Sequence, residues 1–188
     1  MAFLNSAEIR SLNFAKVGQN VKISDKASFY NCSKISIGTN CRIDDFCVIS
    51  AGIGGILIGD NTHIAVYTSI IGAGKVALSD YCNLSSRVSI FSSSDDYTGM
   101  AMTSPQIPPE FTNVKIADVF LGRHVIVGSG SVILPGTTLE EGVAIGALSL
   151  VNRNCKAFGI YAGIPVKFIK ERKKDLLELE KRFIKLLG

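Results

Sequence analysis

Histidine is scarce in this chain of 188 residues: only His63 and His124 occur. A zinc ion held by three imidazoles therefore cannot be built here. The five cysteines contain no CxxC pair. Their reading is as compact core fillers in a reducing compartment, and no metal site is expected. Long apolar runs are missing as well. No stretch approaches the length of a membrane-spanning helix, and Met1 to Asn5 lacks the charged segment and apolar run that open a signal peptide. A cytoplasmic location without stable membrane insertion is the expectation. Basic charge is thin: the net charge is +4, concentrated near the C-terminus at Lys167, Lys170, Arg172, Lys173 and Lys174. A nucleic-acid binder would show a broader basic surface with interleaved aromatics, so no nucleic-acid partner is expected. A small ligand bearing phosphates needs only a few such cations.

What the chain does have is a beat. One apolar side chain recurs every six residues: Val17, Ile23, Phe29; Ile37, Ile43, Ile49; Ile58, Ile64, Ile70; Leu78, Leu84, Ile90; then Leu121, Val127, Ile133, Leu139, Ile145 and Val151. Four residues after most of them sits something small, as at Cys41, Cys47, Thr62, Cys82, Ser131 and Ser149. Such a repeat predicts a parallel β-helix. Three repeats close one triangular coil, and stacked coils pair strand on strand. The large residue fills the axis, the small one fits beside the corner, and glycine or a polar residue takes the bend. An antiparallel sandwich would alternate with period two instead.

The organisation follows from where the beat runs. Residues 1–16 do not follow it and form an N-terminal cap, with Ser6 to Arg10 able to open a short helix. The β-helix spans 17–163. It is interrupted by an inserted loop, 91–120, that begins at Ser92-Ser93-Ser94-Asp95-Asp96-Tyr97 and contains Pro105, Pro108 and Pro109. A loop of that length on a rigid scaffold is the first place to look for a site. After Gly163-Ile164-Pro165, residues 164–188 read as a charged amphipathic C-terminal helix with Phe168, Leu176, Leu179, Phe183 and Leu187 near one stripe.

The segment from Leu121-Gly122-Arg123 through Val127-Gly128-Ser129-Gly130-Ser131 to Leu134-Pro135-Gly136 is followed by Ala144-Ile145-Gly146-Ala147 and by Ala162-Gly163-Ile164-Pro165-Val166-Lys167-Phe168-Ile169-Lys170. It resembles the hexapeptide-repeat acyltransferases of the maltose, galactoside and sugar O-acetyltransferase group. The resemblance covers nearly all of the chain. It implies an all-β, left-handed parallel β-helix with a C-terminal helix, a homotrimer, and acetyl-CoA as donor. Matched to the family's contacts in its groove between subunits, the CoA-binding residues fall on Ser129, Ala147, Asn152, Arg153, Lys167 and Lys170. Small residues let the pantetheine arm approach the backbone, and the cations suit its phosphates. Family usage implies a sugar acceptor in surface polysaccharide or lipopolysaccharide biosynthesis.

One departure bears on the chemistry. These enzymes place a catalytic histidine at the start of the long loop, in a pattern like V-x-I-x-T-A-x-H-P. Here the stretch reads Val88-Ser89-Ile90-Phe91-Ser92-Ser93-Ser94-Asp95-Asp96, with Asp95 in the histidine's place. His124 reads as a surface turn residue. His63 precedes the inward Ile64, and aligning Gly59 to Ile64 with Ser79 to Leu84 places it directly beneath Asn83, one coil or about 4.8 Å away.

In one reading His63 is the general base that takes the proton of a sugar hydroxyl. Asp95 or Asp96 would then orient the ring or stabilise the imidazolium, and Asn83 would donate to the acceptor or the oxyanion. In a second reading the acceptor is a nucleotide-linked amino sugar whose neutral amine needs no strong base. Asp95 and Asp96 would then bind it or take a late proton. A third possibility is a CoA-binding β-helix that has lost its chemistry. A γ-type carbonic anhydrase shares the prism but needs three histidines. An ice-binding surface would show flat rows of threonine, which are absent.

Overall fold

The computed structural model describes residues 2–187. Met1 and Gly188, the outer limits of the cap and the C-terminal segment, and the side chain of Leu187 lie outside the described residues. The six-residue beat folds as a β-solenoid of three faces. Among the described residues the faces are sheets of six, eight and six strands, to which each coil contributes in turn. The register is strict. Ile35, Ser36 and Ile37 pair with Ile56, Leu57 and Ile58, those with Val76, Ala77 and Leu78, and those in turn with Val119, Phe120 and Leu121 across the long insertion. The insertion thus leaves and rejoins the prism without slipping a rung.

The axis is filled as the repeat demands. Ile23, Ile43, Ile64, Leu84 and Val127 stack behind the second sheet with no exposed surface, each worth roughly 1.5–3 kcal/mol of burial. Cys41, Cys47 and Cys82 are buried beside them, and all five cysteines are free thiols. Burial pushes the Cys82 thiol up to about 12, so it is inert filler.

The corners carry left-handed residues. One corner runs Asn20, Asn40, Asn61, Tyr81 and His124, with φ between 52° and 61°. Asparagine tolerates that region, and here its amide also bonds along the prism. Asn20 Nδ2 donates to Asn40 Oδ1, and Asn40 Nδ2 to Asn61 Oδ1, each at 2.7 Å. Tyr81 and His124 continue the corner as a stacked pair 4.8 Å apart. The next corner carries Phe46 stacked on Tyr67 at 5.0 Å, with Lys26 and Arg87 over the two outer ring faces.

Helix α1 (Ser6–Ser11) caps the first coil. Its start is fixed by a capping box: Asn5 accepts from the Ala7 and Glu8 amides, and Glu8 returns the bond to the Asn5 amide. The insertion leaves after the strand Ser89–Phe91 and returns at Val119–Leu121. Its stem is a short antiparallel pair, Ser93–Ser94 with Lys115–Ile116.

The C-terminal segment differs from the expected continuous helix. Lys167–Glu171 is a strand, antiparallel to Gly159–Ala162, and helix α2 begins only at Asp175 and runs to Leu187. The last coil offers an unpaired edge, and the chain reverses at Gly163 (φ 107°) to satisfy it. Val166 is buried there, and Phe168 packs edge-on against Tyr161. Arg172 then donates to the carbonyls of His124 and Gly142 at 2.8 and 2.9 Å. This carries α2 onto the asparagine corner, where Glu180 bonds Arg123 and His124 and Phe183 meets Tyr81. His124 is therefore a docking point for α2, not an exposed turn residue.

Candidate active site

The outward side chains of the second sheet form a single column. Lys22 pairs with Arg42, Arg42 with His63, His63 with Asn83, and Asn83 with Ile126. His63 Nδ1 lies 3.2 Å from Asn83 Oδ1, so the placement of His63 beneath Asn83 is met. Nε2 lies 2.9 Å from Asp44 Oδ2, and Arg42 Nε donates to Asp44 Oδ1 at 2.6 Å. Burial alone would raise the Asp44 carboxyl, whose side chain is only 7% exposed. The hydrogen bonds from Arg42 and His63 outweigh it and hold Asp44 below the usual carboxylate range. Both ring nitrogens of His63 are thus engaged.

Sequence reasoning missed Asp44 and Arg42. The signal was present: Asp44 stands where later coils carry Ala65, Ser85 and Gly128, all small, so a carboxylate there is out of pattern.

The two loop aspartates separate in role. Asp96 spends its carboxylate on its own loop, accepting from the Thr98 amide and hydroxyl and from the Met100 and Ala101 amides. Those bonds, the Thr98 hydroxyl first, lower its pKa. Asp95 is exposed and opens into a groove of about 450 Å³ between it and Ser104, Ile107, Pro109 and Asn113. The loop springs from the third sheet, whereas His63 and Asn83 lie on the second. Among the described residues no hydrogen bond or ion pair joins Asp95 or Asp96 to Asp44, His63 or Asn83.

The residues expected to hold CoA lie at the C-terminal end of the prism, all of them exposed. Ser129 and Ala147 follow the second sheet on successive coils, joined where the Leu148 amide donates to the Ser129 carbonyl at 2.9 Å. Gly128 is needed for that approach: a Cβ there would come within 2.4 Å of the Ala147 nitrogen. Asn152 and Arg153 follow the last strand of the third sheet, Leu150–Val151. Lys167 and Lys170 stand on the added C-terminal strand, opposite Ala162 and Ile160.

A three-faced prism of hexapeptide coils, with a looped insertion and a cationic C-terminal end, defines a hexapeptide-repeat acyltransferase, and the chain belongs to that family. It is 59% identical over 183 residues, covering 97% of its own length and 95% of the relative's, to the dTDP-4-amino-4,6-dideoxy-D-glucose acyltransferase of Escherichia coli. AntD, an N-acyltransferase from Bacillus cereus, superposes with a TM-score of 0.94 at 43% identity over 98% of each chain, in a serine variant bound to dTDP-4-amino-4,6-dideoxyglucose and coenzyme A. AntD has also been solved with dTDP and 3-hydroxybutyryl-CoA, and as a variant at one aspartate with dTDP and coenzyme A. WbbJ of Escherichia coli strain K12, an O-acetyl transferase assigned to lipopolysaccharide biosynthesis, is 31% identical over 71% of this chain and 67% of its own. No protein-family model matches the chain. The likeness thus falls nearer to amino-sugar acyltransferases than to the sugar O-acetyltransferases to which the motifs point.

Proposed function

We propose that the chain transfers an acyl group from acyl-CoA to the amine of a dTDP-linked amino sugar of the kind AntD binds, dTDP-4-amino-4,6-dideoxyglucose. The observation that carries this is the lack of a free imidazole. Among the described residues His63 is held through both ring nitrogens, and His124 is bonded to Glu180 beneath α2. A sugar hydroxyl needs a base as it attacks a thioester; a neutral amine does not. The amine attacks the thioester carbonyl, the N–C bond forms and the C–S bond breaks. The proton then acidified on nitrogen passes to Asp95 and on to the departing CoA thiolate. Asn83 holds the sugar beside that carboxylate.

Because Asp95 and Asn83 lie on different faces, the site is completed between protomers of a homotrimer, with the donor running past Ser129 and Ala147 toward Arg153, Lys167 and Lys170. Acetyl-CoA is the donor expected from the motifs. The product is an activated glycosyl donor suited to surface-polysaccharide synthesis. The test is direct. Purified protein, acetyl-CoA and dTDP-4-amino-4,6-dideoxyglucose should release free thiol and yield an acylated sugar that withstands hydroxylamine, as an amide does. A hydroxylamine-labile product, or no thiol release with any acyl-CoA, would overturn the reading.

A further inference from the structure

The outward column of the second sheet changes character at one coil. Toward the C-terminus it runs Ile126, Ala144 and Ile160; toward the N-terminus it runs Asn83, His63, Arg42 and Lys22. Three rungs separate Lys22 from Asn83, about 14 Å, a length suited to a sugar ring, two phosphates and part of a nucleoside. Arg42 and His63 are held in place. Asp44, at 7% exposed, bonds Arg42 Nε and His63 Nε2 from beneath. Asn83 contacts the other ring nitrogen of His63, so the ring is fixed from both sides. The Lys22 side chain makes no hydrogen bond or ion pair among the described residues. The other carboxylate near the edge of this face, Asp45, is already taken by Ser24 and Lys26.

We infer that this column is the strip that reads the diphosphate of the acceptor: Arg42 and Lys22 take the phosphate oxygens, His63 orients Asn83 through its ring, and Asn83 holds the sugar. The inference rests on the proposed nucleotide-linked acceptor and adds which residues anchor it. A cationic strip placed below the donor's end of the prism suits two phosphates, since charge-assisted bonds are the strong ones. The neighbouring aromatic corner does not stack the base. Phe46 and Tyr67 face each other, and their outer faces are covered by Lys26 and Arg87.

The experiment is calorimetric titration of dTDP, thymidine, inorganic pyrophosphate and coenzyme A into the wild-type chain, Lys22→Gln, and Lys22→Gln/Arg42→Gln. The double variant should bind dTDP and pyrophosphate at least ten-fold more weakly, with coenzyme A and thymidine unchanged. Lys22→Gln should give a smaller loss in the same direction, and it keeps the test valid if the double variant does not fold. Wild-type affinity for dTDP in Lys22→Gln and in a folded double variant would overturn the inference, as would a wild-type chain that binds neither dTDP nor pyrophosphate. Failure of the amine reading looks different: pyrophosphate binding is still lost in the variants while no amide forms from the amino sugar.

Discussion

At the scale of single residues, the chemistry turns on which carboxylates are already spent. Asp96 is filled by four donors from its own loop, and Asp44 by Arg42 and His63. Asp95 alone of these three meets open space. Asp95→Asn is therefore expected to lower kcat by roughly 10²–10⁴-fold with the melting temperature unchanged; steady-state kinetics on the amino sugar would check it. Asp44→Asn should act on stability instead, costing about 1–3 kcal/mol as charge-assisted bonds are lost. The folded Asp44 pKa is lowered. Its stabilisation is complete above the unfolded value of about 3.9 and disappears as pH falls through the lower folded value. Urea unfolding of wild type and variant should differ fully at neutral pH and converge in acid. The sequence alone reveals the His63–Asn83 adjacency, because a fixed repeat makes neighbours by counting. It hides the engagement of His63, because Asp44 sits a coil away and declares itself only as a carboxylate in a slot where other coils are small.

At the scale of elements, the coils were legible and the C-terminal end was not. Burial along the axis is set by one residue in six, so the inward positions follow from the beat from Ile23 to Val151. The segment 166–171 has no such constraint. Its fold depends on an open strand edge that only the assembled prism provides, and a tally of apolar residues reads it as helix. The loop's ordering by Asp96 comes from local hydrogen bonds that composition does not announce. Helix α2 is held to the asparagine corner by few contacts, chiefly Glu180 to Arg123 and His124 and Phe183 to Tyr81. Phe183→Ala should loosen α2 by about 1 kcal/mol. Hydrogen exchange should rise within 175–187 while the coils stay protected; uniform loss of protection would show that α2 is part of the prism's cooperative unit.

At the scale of the whole molecule, Asp95 and Asn83 stand on different faces of one prism, and the proposed trimer predicts that a working site draws them from two copies. Asp95→Ala and Asn83→Ala should each be inactive alone. Co-assembled in a ring of three, they should regain about a quarter of wild-type activity, the statistical share of interfaces carrying both native residues. No recovery in verified mixed assemblies would place the site within one chain.

The claim beneath all of this is that the prism acylates an amine. Equal amounts of dTDP-4-amino-4,6-dideoxyglucose and its hydroxyl counterpart should be offered together with limiting acetyl-CoA, and the products weighed by mass spectrometry. The amide is expected in excess by roughly 100-fold or more. Comparable amounts of ester, or ester alone, would contradict it.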